Sequence, residues 1–251
     1  MRLNEEFDVD RAMVVFAYPS AGDFGSAGTV AAWAKEGVEI VYVVATDAEA
    51  GANDPGMTTE KLREIRRSEQ LAAARVLGVK DVVFLGFEDG SLDPTPELRK
   101  ALAREIRRHR PDVIIAPDPG SHFLNIIGRE YLSHPDHPAV GEATLRAIVP
   151  DASTRRRFPE MWIDEGLEPH KPKAVLLQGG GGDAITVDVS HTIEQKIEAL
   201  LSHTSAFTDG NDPLPEKLHE GIGERLRMMT RSSDPSSGME YSESYRLIRL
   251  F

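Results

Sequence analysis

Short apolar runs alternate with amphipathic stretches along this chain, and that alternation restricts its fold more than any other feature. Residues 12–17, 38–45, 82–85, 112–116, 173–177 and 185–189 each read as a buried strand, mostly apolar and followed by turn or polar residues. Between them, 25–35, 59–77, 96–109, 138–148 and 192–202 carry helical spacing and helix punctuation. Gly37 and Gly78 stand where glycine ends a helix, and Thr58 or Thr59 stands where threonine begins one. Such a chain is expected to be α/β, with a mostly parallel, doubly wound sheet and its ligand site at the strands' C-terminal ends. The loops after the first and fourth strands are then expected to face each other.

A single domain spanning 1–251 suffices for a chain of this length. Within it, the irregular stretch 150–172 reads as an insertion or lid. Residues 208–251 read as a C-terminal extension: a helix near 218–229, a loop at 232–238 and an edge element at 241–251. The basic helix 96–109 is expected to present Arg99, Lys100, Arg104, Arg107 and Arg108 on a solvated face. Gly179 to Gly182 lack the Lys-Ser/Thr of a phosphate loop and read as a loose turn.

Charge and composition exclude several classes. A net charge of −12 disfavours a nucleic-acid interface and an anionic membrane surface. No apolar run approaches the ~18 residues of a membrane span, and the N-terminus lacks the apolar core of a signal peptide. The chain has no cysteine, which removes disulfides and thiolate chemistry and fits a cytoplasmic protein. The expected partner is a small molecule, with self-association into a homo-oligomer left open.

The densest chemistry lies in His134-Pro-Asp136-His137, between a strand and a helix. Imidazole and carboxylate are zinc donors and general acid/base groups. The loops at 46–56 and 87–94 also fall at strand ends, and Asp47 and Glu49 in the first can accept hydrogen bonds from ligand hydroxyls. Ser20 with His134 makes a conceivable Ser-His pair, though no strained nucleophile turn is evident from the sequence. His122 shares a loop with the His134 motif, and Phe158 and Trp162 could stack on a ligand or pin their own loop.

Taken together, the ordered motifs resemble the PIG-L/LmbE-like zinc-dependent de-N-acetylases. The resemblance covers roughly 11–205. It rests on Gly28-Thr29, Thr46-Asp-Ala-Glu-Ala-Gly51, Arg66-Arg-Ser-Glu69 with the following Ala-rich turn to Gly78, Phe84-Leu-Gly86, Asp89-Gly90, Arg110-Pro-Asp-Val113, His134-Pro-Asp-His137, and Lys196 with His203-Thr-Ser205. It implies a Rossmann-like three-layer fold and hydrolysis of an N-acyl amino sugar or related amide at zinc. It assigns His137 to the metal, His134 and Asp136 to catalysis, and Arg66, Glu69, Asp47 and His203 to the surroundings of the substrate.

The resemblance breaks after the first strand. The family reads Ala-His-Pro-Asp-Asp there, supplying two zinc ligands and the general base. This chain reads Ala17-Tyr18-Pro19-Ser20-Ala21. Tyr18 and Ala21 replace the ligands and Ser20 replaces the base. Ala48 and Ala206 are further departures, from Gly and Gln. Zinc is therefore expected to be absent or weakly held, and hydrolysis impaired or lost. The alternative is an active amidase with a relocated metal site drawn from Asp23, His122, His134, Asp136 and His137.

Overall fold

The computed structural model describes residues 8–126, 129–179, 184–208 and 214–250. A seven-stranded sheet runs in the order β3-β2-β1-β4-β7-β9-β8. Its parallel part comprises β1 (Arg11–Phe16), β2 (Glu39–Thr46), β3 (Asp81–Phe87), β4 (Val113–Pro117) and β7 (Ala174–Gln178). β9 (Ser242–Arg249) is antiparallel to both β7 and β8 (Ala184–Asp188). The expected mostly parallel α/β sheet is what forms.

Alternation along β1 explains the layering. Val14 and Phe16 point into one core with α1 (Ala21–Lys35), α2 (Thr59–Leu77) and α6 (Ile193–Leu201). Met13 and Val15 point into the other, with α3 (Pro96–His109) and α4 (Asp136–Arg146). Strands buried on both faces have no polar side to alternate with, so they read as continuous apolar runs. Each fully buried aliphatic side chain contributes about 1.5–3 kcal/mol to folding. α2 begins where expected, with Thr58 accepting from the Lys61 N–H at 3.2 Å, and ends on Gly78 at φ 78°.

Four segments differ from the sequence reading. α1 starts at Ala21, because the chain turns sharply at Ser20 and the Phe24 N–H bonds to the Ser20 carbonyl. The stretch after β4 forms a hairpin, β5 (Phe123–Ile126) with β6 (Arg129–Leu132). The edge element at 241–251 is instead an inner strand, with β8 outside it. The basic helix is only partly solvated: Arg107 is almost fully buried and donates to the carbonyls of Asp151, Ala152, Thr154 and Arg157.

Buried Asp151 pairs with both Arg99 and Arg157. These contacts bind the stretch 150–172, including the short α5 (Glu160–Ile163), to α3. Phe158 and Trp162 receive cations from Arg157 and Arg155 there. Gly180 to Gly182 lie outside the described residues. No helix among the described residues is long and apolar enough to cross a membrane.

The last segments reach back to the first helix. α7 (Glu216–Thr230) packs on α6 through Ile222 and Leu226. Glu243 on β9 accepts the Gly28 and Thr29 N–H groups at 3.0 and 2.7 Å and the Lys196 ammonium at 2.6 Å. Tyr245 Oη accepts from Thr29 Oγ1 at 2.8 Å and donates to Glu243 Oε2 at 3.0 Å. A β-carbon at Gly28 would sit 2.8 Å from Val189 Cβ and 3.0 Å from Glu243 Oε1, so this close approach requires glycine.

Candidate functional site

β1 lies between β2 and β4, so the connections leaving β1 and β4 diverge to opposite sides of the sheet. A crevice opens at the C-terminal ends of such strands. Here it is a cavity of about 790 Å3. The loop after β1 brings Tyr18, Ser20 and Ala21 to it, and the turn into α4 brings His137. The two loops meet as the sequence reading expected.

Their meeting point is a hydrogen bond between Tyr18 Oη and His137 Nε2, 2.9 Å long. The Tyr18 ring also packs edge-on against His134 and His137, with centroids 5.3 and 5.1 Å away. Burial, reinforced by Asp89 and Asp136, pushes the Tyr18 phenol up to about 12. Burial, reinforced by His134, pushes the His137 imidazole down to about 4. Both groups are therefore neutral at pH 7, and the pair holds together as a neutral hydrogen bond.

This pair has a consequence for stability against pH. The unfolded chain protonates His137 near pH 6.5, whereas the native state resists until about pH 4. Stability is fully present above pH 6.5 and falls as pH drops through that window, by about 3 kcal/mol in all. His137→Gln is expected to flatten this part of the stability–pH curve, measured by urea unfolding at successive pH values.

Ser20 occupies a left-handed conformation, φ 76°, between β1 and α1. The strained turn that the sequence did not reveal is present. Its N–H donates to Gln70 Oε1 at 2.9 Å, and its hydroxyl does not cap the helix. Gln70 in turn donates to Asp23 Oδ2 at 3.0 Å. Fully buried Asp23 also accepts Tyr42 Oη on Oδ1 and pairs with His203 Nε2 on Oδ2, each at 2.8 Å. The Asp23 oxygens are thus committed beneath the cavity floor. Gln70 is a residue that sequence reasoning missed. Only its place one helical turn after Arg66 hinted at it.

The remaining candidates divide. Arg66 and Glu69 both line the cavity. Arg66 holds the loop after β2 through the Ala48 and Gly51 carbonyls. Glu69 accepts from Thr204 Oγ1 at 2.7 Å, Ser205 N–H at 2.8 Å and Ser205 Oγ at 2.6 Å. His203 also lines it. Asp47 does not: it is buried and pairs with Arg67 and Arg63. Asp136 accepts the Gly90 and Leu92 N–H groups at 2.8 and 3.2 Å, fastening the loop after β3. Neither His122 nor the stretch 150–172 contributes to the cavity wall.

Zinc requires deprotonated or neutral donors that converge on one point. Alanine at 21 offers none, and a phenol that ionises only near 12 is a poor donor at neutral pH. The imidazole nitrogen that reaches Tyr18, His137 Nε2, is already bonded to that phenol. The residues at 18, 20, 21 and 137 do not fit a zinc ion. Beside them, Asp89, His134 and Asp136 offer donor atoms that all lie within 4.8 Å of one another. Burial raises the Asp89 carboxyl above its usual range, with Asp136 adding to the shift and His134 opposing it.

The fold and the crevice at its switch point define an α/β protein with a ligand-sized cavity at the C-terminal ends of its parallel strands. Residues 13–148 match the family model described as GlcNAc-PI de-N-acetylase, PIG-L. The chain belongs to the PIG-L family. It is 29% identical to a diacetylchitobiose deacetylase of Thermococcus kodakarensis over 98% of this chain and 86% of that protein. It is also 29% identical to a probable N-acetyl-α-D-glucosaminyl L-malate deacetylase of Bacillus anthracis, over 87% of this chain and 91% of that one. Among solved structures, an N,N'-diacetylchitobiose deacetylase from Pyrococcus horikoshii superposes with a TM-score of 0.82 at 27% identity, covering 98% of this chain and 86% of that chain.

Proposed function

We propose that this protein binds an N-acyl amino sugar or a related amide in the crevice and does not hydrolyse it by the zinc chemistry its resemblance implies. The observation that carries the reading is the Tyr18–His137 hydrogen bond, which places a phenol where a metal would need a free imidazole nitrogen. Family membership and the deacetylase relatives support the ligand class. Arg66, Glu69 and His203 are the groups proposed to surround the ligand and His137 to face its amide, while His134, which does not line the cavity, is proposed to act through the Tyr18 ring it packs against. Asp47 and Asp136 are proposed to act indirectly, by holding the loops after β2 and β3. The acidic, cysteine-free composition supports a cytoplasmic protein whose partner is a small molecule and not a nucleic acid or a membrane.

Two measurements test this. Elemental analysis of the purified protein is expected to find well under one zinc per chain. Calorimetric titration with N-acetylglucosamine glycosides is expected to show binding without release of acetate. A tightly held stoichiometric metal together with turnover would instead support the second reading, an active metal-dependent amidase with a rearranged site. The observation that favours it is the cluster of Asp89, His134 and Asp136. Asp89→Asn separates the two: it abolishes metal content and turnover only if that cluster is the metal site.

A further inference from the structure

The sheet ends on β3, and no strand lies beyond it among the described residues. Val82, Val83, Phe84 and Leu85 are only half-buried, although their β2 neighbours Tyr42, Val43 and Val44 are completely enclosed. Val82 and Phe84 pack on one core and Val83 and Leu85 on the other, so the cover they lack is that of a neighbouring strand. An open edge presents unpaired N–H and C=O groups, which proteins usually guard with proline, lysine or a bulge. β3 contains neither proline nor lysine. Its register is regular over 81–84, and the irregularity and the positive φ of Gly86 come only near its C-terminal end. The opposite edge, β8, is shorter, five residues against seven, and borders a cavity with the loop after α7.

α2 adds an apolar group to this edge. Arg67 lays its guanidinium 4.9 Å from the centroid of the Phe84 ring. Leu71 follows one helical turn later on the same stripe, is 41% exposed and joins none of the apolar cores. The charges that flank the strand select the occupant. Lys80 precedes it and Glu88 follows it, both exposed. An antiparallel copy turned about a two-fold axis at Phe84 sets Lys80 against Glu88 of the partner subunit and Val83 against Leu85 of the partner subunit. Asp81 then meets Phe87 of the partner subunit, so no like charges are opposed, as a stable cross-strand register requires. Lys80 also pairs with Glu39, but at 61% side-chain exposure its ammonium has further donors to offer. We infer that two copies of this chain join through β3 into one continuous sheet, with Leu71 beside the joint. The contact is isologous and closes at two chains. Main-chain hydrogen bonds supply most of its affinity. A single strand pairing is small for a permanent interface, so the dimer is reversible, with a Kd of about 10 μM.

Sedimentation of the full chain from about 1 to 300 μM, a range spanning that Kd, is expected to show monomer giving way to dimer. Leu71→Lys, at an exposed position and checked for native circular dichroism, is expected to weaken the dimer about tenfold. The absence of cysteine allows the register to be read directly. A Lys80→Cys, Glu88→Cys double variant is expected to form a disulfide-linked dimer under oxidised glutathione, and either single variant is not. Within one chain the two positions are about 26 Å apart along the strand, too far for a disulfide. A monomer throughout the concentration range overturns the dimer. An assembly of any size in which the double variant crosslinks no better than the single ones overturns the β3 interface. Crosslinking with a dimer indifferent to Leu71→Lys upholds the strand pairing and overturns the part given to α2.

Discussion

Tyr18→His, Ser20→Asp and Ala21→Asp, introduced together, are expected to turn this chain into a zinc-binding amidase. Residue 18 already stands at hydrogen-bond distance from His137 Nε2, so an imidazole there exchanges one neutral contact for a shared metal. Residue 21 opens α1, where the helix N-terminus favours a carboxylate. Residue 20 sits in a left-handed turn that aspartate tolerates better than most residues. The triple variant is expected to hold one zinc per chain and to release acetate from N-acetylglucosamine glycosides. A restored general base alone is worth about 10²–10⁴-fold in rate, and a metal's polarisation of the carbonyl several kcal/mol more. Zinc uptake without acetate release would discard the ligand class while keeping the account of the metal. Failure to take up zinc would show that the crevice has changed beyond its first loop.

The second large effect concerns stability. Glu243→Ala is expected to lower the unfolding free energy by about 3–5 kcal/mol, the usual cost of leaving one member of a buried ion pair unpaired. Lys196 and Glu243 are each 4% exposed at the side chain. The carboxylate also accepts two N–H groups of α1 and the Tyr245 hydroxyl. All four donors lose a partner together. Urea denaturation measures the loss, and a change below about 1 kcal/mol would mean that water replaces the carboxylate freely. A Lys196→Met, Glu243→Met double variant is expected to recover only the part due to the unpaired ammonium, because an apolar pair has no charge to desolvate while the Gly28 and Thr29 N–H groups stay without their acceptor.

The sheet was largely legible because buried parallel strands are written as continuous apolar runs, and helix ends as Thr58, Gly37 and Gly78. The meeting of the loops after β1 and β4 followed from topology. What could not be read was set by contacts distant in sequence. Arg107 looks like any other charge on a basic helix, yet it satisfies four carbonyls some 44 to 50 residues away. Asp47 has the composition of a ligand-binding loop, but its partners are on the neighbouring helix. Tyr18 was legible as a departure from a family motif. Its bond to His137 was not, because neither residue type requires the other.

The placement of Glu243 bears on when the site can exist. Its bond to the Gly28 N–H spans 215 residues, and β9 enters the sheet between two strands made before it. Contacts of such sequence separation form late and slow the overall rate. During synthesis the first helix is made early, yet its clamp is made some 215 residues later. The crevice is therefore finished only once β9 has joined the sheet. A chain arrested shortly before residue 243 would carry every side chain of the polar site and have no fixed geometry in which to use them.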